Sequence, residues 1–111
     1  MPIERGEVYW VAFDLSLGGE IQKTRPAIVF SNNAANQALN RVQVVPITSK
    51  TNRLYPGEAY IELRGEKRKA IASQLATASK LRIGARLGVL GAEDMVRVEA
   101  AIAVQLGLTL K

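Results

Sequence analysis

The chain has 111 residues, of which 48% are hydrophobic, and a formal net charge of +5. This length suits one domain with its own core, and no apolar run is long enough to span a bilayer. Cysteine and histidine are absent, which excludes disulfides, thiolate metal sites and histidine catalysis, so any chemistry must use Arg, Lys, Thr, Ser, Tyr, Asp or Glu.

The N-terminal region predicts a strand followed by a long loop. Residues Glu7–Phe13 are rich in aromatic and β-branched types, and both alternating sets of side chains are apolar, as in a strand buried on both faces. Asp14–Thr24 contains Gly18 and Gly19 and is long for a connection in a compact domain. It is either a functional lid or an ordinary surface loop.

Two further strands are expected around a short helical turn. Ala27–Ser31 and Val42–Ile47 are apolar runs, and Asn32 can cap a helical turn over residues 33–39. Pro46 near the end of the third strand favours an edge or a bulge there.

The second half of the chain predicts more short strands and one long helix. Glu58–Leu63 is a fourth strand, residues 64–69 a basic turn and Leu87–Leu90 a last strand. Residues 70–79 are ambiguous, because their alanine content suggests a helix while their shortness and Thr/Ser content allow two short strands, and we choose strand. Ala92–Leu106 has acids in its first turn and one apolar stripe at helical spacing, formed by Met95, Val98, Ile102 and Leu106. Many short strands plus a terminal helix indicate a small barrel or roll.

Charge and proline placement point to a cleft. Residues 41–86 hold ten Lys or Arg against three acids, which indicates either an anionic partner such as nucleic acid or a merely basic domain. Pro26 holds Arg25 in extended backbone at the start of the second strand. If the second and third strands pair, Arg25 and Thr48 share one cleft.

Several short motifs follow one another along the chain: Arg5–Val11, Gly19-Glu20, Arg25–Val29, Ser31-Asn32, Val45–Ser49, Ser73-Gln74, Lys80–Arg82 and Leu106–Leu108. Their order and spacing resemble the MazF/PemK family of toxin endoribonucleases over nearly the whole chain. The resemblance implies a single, mainly β domain over residues 1–111, folded as a small SH3-like barrel of the CcdB/PemK type with a C-terminal α-helix.

The resemblance also implies an activity and partners. In such toxins the Arg of the Arg-Pro motif and the Thr of the Pro-Ile-Thr-Ser motif are the main catalytic pair, which are Arg25 and Thr48 here. Glu20 and Gln74 match further positions of the RNA cleft. A cytoplasmic homodimer that cuts single-stranded RNA without a metal or cofactor, and a MazE-like antitoxin with an acidic tail in the RNA groove, are expected. The predicted RNA-binding residues are Lys23, Ser31, Asn32, Ser49, Lys50, Arg53, Gln74, Lys80 and Arg82.

The residues suit this chemistry. RNA is cut without a metal when its 2′-OH attacks the adjacent phosphate and leaves a 2′,3′-cyclic phosphate. The donor fork of Arg25 matches the phosphoryl oxygens, and Thr48 can donate to a phosphate oxygen or to the leaving group. Because arginine stays protonated, Glu20 is the candidate base and Lys23 the candidate acid, unless alignment and charge stabilisation carry most of the rate.

Two other functions stay open. A CcdB-like toxin would bind gyrase without cutting RNA, but proteins of that type use a C-terminal Trp-Gly-Ile tail, and this sequence ends Gly107–Lys111 without tryptophan. A non-catalytic RNA-binding barrel is the second alternative, and the Arg25 and Thr48 match counts against it. Each candidate also has a plain structural reading, in which Arg25 pairs with a carboxylate, Thr48 ends a strand and Glu20 is solvated.

Overall fold

The structure, a computed structural model, describes residues 2–13 and 23–109. Within these ranges the elements are β1 (Glu7–Phe13), β2 (Lys23–Val29), α1 (Asn33–Ala38), β3 (Arg41–Thr48), β4 (Glu58–Leu63), β5 (Glu66–Ile71), β6 (Ala76–Ser79), β7 (Ile83–Val89) and α2 (Ala92–Leu106). Short 3-10 turns cover Ala72–Gln74 and Lys80–Arg82. The predicted lid falls mostly on residues 14–22, outside the described part of the chain.

The strands form an antiparallel sheet in the order β4-β5-β3-β2-β1-β7, and β6 pairs with β3. β3 is the shared strand, because one side pairs with β2 while the other side changes partner from β6 to β5 between Val44 and Ile47. Pro46 lies at this change of partner. Of the two predicted options, an edge strand or a bulge, the edge strand was wrong. Pro46 occupies the point where a residue without an N–H disturbs the ladder least.

Both faces of the central strands are buried, as the sequence of β1 predicts. Side chains alternate along a strand, and the two alternating sets belong to two separate apolar clusters. Val8, Ile28 and Val98 of α2 lie in the first cluster. Val11 and Val44 lie in the second cluster, on the opposite side of the strands. We call the side of the sheet that carries the second cluster the far face, since α2 packs on the other one.

The terminal helix has the predicted bounds. Asp94 in its first turn accepts a hydrogen bond from the backbone N–H of Glu62 at 2.9 Å, which ties α2 to β4. The helix ends at Gly107, whose φ of 70° is the left-handed conformation that glycine adopts most readily. The predicted apolar stripe stops short of the C-terminal end, because Leu106 is 54% exposed.

Three parts of the predicted strand assignment were wrong. β2 spans Lys23–Val29 and not residues 27–31. Its first residues pair with β1 alone and tolerate Pro26 on their unpaired side. β7 begins at Ile83 and not at Leu87. Most of the predicted basic turn is the strand β5, and only Arg64 and Gly65, with φ of 53° and 81°, form the turn.

The ambiguous segment over residues 70–79 divides into three parts. Ala70 and Ile71 end β5, the 3-10 turn over Ala72–Gln74 follows, and Ala76–Ser79 forms β6. The sequence therefore predicted two short strands correctly as one option but placed no turn between them.

The described sheet is open. β4 and β7 lie at the two ends of the strand order, and no ladder between them is present in residues 2–13 and 23–109. The fold is thus a mainly β, antiparallel sheet with a C-terminal helix. None of the described helices is both long and apolar enough to cross a membrane.

Candidate functional site

The catalytic candidates, Arg25 and Thr48, lie just beyond the last pair of the β2–β3 ladder. The described pairs of β2 and β3 run from Val29 opposite Val44 to Ala27 opposite Pro46. Arg25 and Thr48 are each two residues beyond this last pair, about 7 Å further along their strands. Continuing the same register would set Arg25 opposite Thr48. Because side chains alternate, both belong to the far face of the sheet.

Neighbouring strands extend this position into a row across the far face. Thr48 is opposite Lys69 of β5, and Lys69 is opposite Tyr60 of β4. On the other side, Arg25 is opposite Val11 of β1. The row therefore places a hydroxyl and two cationic side chains on three adjacent strands.

The two candidates have hydrogen-bonding capacity to spare. Thr48 Oγ1 accepts a bond from the backbone N–H of Lys50 at 3.2 Å, so its own O–H can be donated elsewhere. Arg25 is partly buried, and within the described part of the chain no carboxylate pairs with it. The five N–H donors of the Arg25 guanidinium are suited to an anionic ligand such as a phosphate.

The segment after Thr48, residues 49–57, is here called the β3–β4 loop. Lys69 Nζ, with a side chain only 8% exposed, lies 2.9 Å from Glu58 Oε1 and donates to the carbonyl of Arg53 at 2.8 Å. Burial alone raises the pKa of Glu58. The hydrogen bonds from Lys69 and from the Tyr55 N–H, together with the charge of Lys69, outweigh burial and lower that pKa below its ordinary 4.5. The Glu58 carboxylate is thus charged near neutral pH.

Several other predicted residues adjoin this row. Ser49, Lys50 and Arg53 are exposed members of the β3–β4 loop. Arg53 also donates to the hydroxyl of Tyr55 at 3.0 Å. Gln74 is exposed in the 3-10 turn that packs against β3. Three of these residues thus follow Thr48 in the same loop, and Gln74 lies in a turn beside β3.

Two further predicted RNA-binding residues, Ser31 and Asn32, lie away from Arg25 and Thr48. Ser31 and Asn32 follow the opposite end of β2 from Arg25, where Ser31 Oγ accepts from the N–H of Gln43 at 3.0 Å and Asn32 Oδ1 caps α1 through the N–H of Ala35 at 2.8 Å. Both side chains are therefore used in local structure. Their role in RNA binding stays a prediction.

The remaining candidates are spread over the fold. Lys80 lies beside the opposite end of β3 from Thr48, since its N–H donates to the carbonyl of Asn40 at 2.9 Å. Arg82 directly precedes Ile83, which is opposite Val11 of the row. Lys23 is the first residue of β2, and Glu20 lies outside the described residues.

Sequence reasoning missed Lys69 as a member of this site. It stands in a run of four charged residues that reads as a solvated turn. The strand alternation of Glu66–Ile71 was the available signal, because it separates Lys67 and Lys69 from Arg68 on the two faces of β5.

A family model described as PemK-like, MazF-like toxin of type II toxin-antitoxin system matches residues 4–106. Endoribonuclease MazF9 of Mycobacterium tuberculosis is 29% identical over 115 aligned residues, which cover 96% of this chain and 98% of the relative. An endoribonuclease from a mycobacterial species, solved in complex with its cognate antitoxin, is 28% identical with a TM-score of 0.80, covering 98% of this chain and 99% of that one. MazF from Deinococcus radiodurans shares the fold at 24% identity, with a TM-score of 0.81 and coverage of 97% and 99%. This chain therefore belongs to the PemK-like, MazF-like family of toxins of type II toxin–antitoxin systems.

Proposed function

We propose that this chain is the toxin of a type II toxin–antitoxin system and acts as a sequence-specific, metal-independent endoribonuclease on single-stranded RNA. The observation that carries the proposal is the placement of Arg25 and Thr48 on adjacent strands and on one face, each two residues beyond the last β2–β3 pair. The names of two similar mycobacterial proteins, both endoribonucleases, support it.

In the proposed reaction the 2′-oxygen forms a bond to the adjacent phosphorus while the bond to the 5′-oxygen breaks. Arg25 binds the phosphoryl oxygens, where negative charge accumulates in the transition state. Thr48 donates its O–H to a phosphate oxygen or to the departing 5′-oxygen. Glu20 takes the proton of the 2′-OH and Lys23 supplies one to the leaving group. The products are a 2′,3′-cyclic phosphate and a free 5′-OH.

RNA binding would use the cations beside this pair. Lys50 and Arg53 are exposed next to Thr48 and suit backbone phosphates. Gln74, also exposed beside β3, suits hydrogen bonding to a base edge. Aromatic residues make up only 5% of the chain, so base selection would depend mainly on hydrogen bonds rather than on stacking.

Fold closure and assembly belong to the same proposal. We take residues 1–111 as one domain and the sheet as an SH3-like barrel of the CcdB/PemK type. Barrel closure is supported by a close approach between the two ends of the strand order. A side chain on Gly88 of β7 would lie 3.7 Å from Leu63 of β4. The chain would act in the cytoplasm as a homodimer that a MazE-like antitoxin inhibits, as the complex of the mycobacterial relative suggests.

The test is purified protein on a long single-stranded RNA in excess EDTA, with both new ends mapped. An Arg25→Ala preparation made in parallel controls for contaminating ribonuclease. We expect cuts at one short sequence, 2′,3′-cyclic phosphate ends, and none of these cuts with the variant. RNA left intact, or cutting that strictly requires Mg²⁺, would overturn the proposal. Binding without cutting would favour the non-catalytic barrel.

A further inference from the structure

The β3–β4 loop begins directly after Thr48 and carries Lys50 and Arg53, but it has little regular backbone bonding. Within the described residues, its backbone bonds outside helices and strands are from Glu58 N to Tyr55 O, at 3.1 Å, and from Ala72 N to Gly57 O, at 2.9 Å. Both lie at the end of the loop that is remote from Thr48. The shape of residues 49–54 must therefore depend on side-chain contacts.

Two side chains from adjacent strands make these contacts. Lys69 Nζ donates to the carbonyl of Arg53 at 2.8 Å, and the hydroxyl of Tyr60 donates to the carbonyl of Thr51 at 2.8 Å. Lys69 and Tyr60 are opposite each other in the β4–β5 ladder, and Lys69 is opposite Thr48 in the β3–β5 ladder. One row of the sheet therefore carries both the catalytic candidate and the two residues that hold the loop after it.

Lys69 is suited to holding the loop and poorly suited to binding RNA. Its side chain is 8% exposed, and its amine already has Glu58 and the Arg53 carbonyl as partners. Burying a lysine is costly unless its charge is paired and its N–H groups are bonded. A simple apolar side chain could fill a position in the sheet, but it could not bond the Arg53 carbonyl.

We propose that Lys69 and Tyr60 are positioning residues for RNA cleavage. Through the carbonyls of Arg53 and Thr51, they hold the β3–β4 loop in the shape that presents the Thr48 hydroxyl and the loop cations to the RNA. This inference rests on the proposed function, since it assigns residues to the same site. It requires that freeing the loop lowers the cleavage rate without unfolding the protein.

The test compares Tyr60→Phe and Lys69→Met with Arg5→Met. The control also loses an ion pair, from Arg5 to Glu99 at 2.8 Å, but it does so between the N-terminal segment and α2, away from the loop. Trypsin provides a direct readout, because Lys50 and Arg53 are cleavage sites within the loop. Fragments of the native protein are identified by mass spectrometry, and kcat and KM for RNA are measured well below the unfolding temperature.

We expect both loop variants to be cut after Lys50 and Arg53 about tenfold faster or more, because local opening exposes these bonds. We expect kcat to fall about 10- to 100-fold, since small misplacements of catalytic groups are that costly. Arg5→Met should change neither the rate of tryptic cleavage in the loop nor kcat. Wild-type kcat in a loop variant, or loop bonds that stay protected, would overturn the proposal.

Misfolding of a variant and inactivity of the wild-type protein can each be distinguished from failure of the positioning role. If Lys69→Met fails to fold because Glu58 is left buried without its partner, Tyr60→Phe and the double variant Lys69→Met/Glu58→Gln decide the test. If the wild-type protein leaves RNA intact, the proposed function fails along with the positioning role. The tryptic result would still show whether the two side chains hold the loop.

Discussion

Replacing Thr48 by valine separates chemistry from stability at one position. Valine keeps the branched shape that suits a strand and removes only the hydroxyl. Two hydrogen bonds are lost, one that the structure contains and one that the proposed reaction requires. The first is the bond that Thr48 Oγ1 accepts from the Lys50 N–H, and the second is the bond from the hydroxyl to the phosphate or leaving group.

The two losses differ in size. The bond from Lys50 N is 3.2 Å long and exposed, so it falls at the low end of the usual net value, about 0.5 kcal/mol. For a chain of this length that lowers the unfolding temperature by about 2–4 °C. A donor aimed at transition-state charge is worth about 10²- to 10³-fold in rate. Thr48→Val should therefore lose most activity while keeping most stability.

The assay is single-turnover cleavage of a fluorogenic oligonucleotide that contains the mapped site, with thermal unfolding of the same samples. Thr48→Ser keeps the hydroxyl and is the matched control, expected within about tenfold of wild type since the donor remains. A valine variant that cuts at half the wild-type rate would refute the role of the hydroxyl. So would a loss of activity that disappears on cooling further below the unfolding temperature.

Three other outcomes follow from the structure. Arg25→Lys should cut about 10²-fold more slowly in the same assay, because an ammonium cannot reproduce the fork of donors, with its unfolding temperature unchanged. Ile28→Ala should cost about 2–5 kcal/mol in urea unfolding since Ile28 is fully buried, whereas Leu81→Ala, at a position 97% exposed, should cost less than about 0.5 kcal/mol. The lowered pKa of Glu58 means that its pair with Lys69 stabilises the protein fully above pH 4.5 and is lost as the pH falls through that lowered pKa. Glu58→Gln should therefore flatten the acid side of the stability curve, and an unchanged curve would contradict this linkage.

Sequence patterns predicted best what depends on nearby residues. The bounds of β1 and α2 were confirmed because each element carries its own periodic apolar pattern and, in α2, acids at one end and Gly107 at the other. Strand β5 was missed for a corresponding reason. A run of charged residues is typical of a solvated turn. The ion pair between Lys69 and Glu58 forms only in the folded protein, so the residues next to Lys69 in the sequence do not indicate it.

The candidate site shows the same limit. Arg25 and Thr48 could be selected from the sequence because their motifs match a family, but their spatial relation depends on the register of β2 against β3. Residues 30–40, with α1 inside them, separate these strands, so no short turn fixes that register in advance. The hydrogen bonds from Lys69 and Tyr60 to the β3–β4 loop depend on two further ladders, β3–β5 and β4–β5. They could not be predicted from the sequence.

The order of synthesis has a consequence for a strand such as β3, which pairs with one strand that precedes it and with two that follow it. When a nascent chain emerging from the ribosome first contains both Arg25 and Thr48, two of the three strands that pair with β3 have yet to be made. β1 likewise gains its second neighbour only when residues 83–89 emerge. Pairings between distant segments form late. For an enzyme that cuts RNA, this order delays assembly of the candidate site until the strands from β5 to β7 have been synthesised.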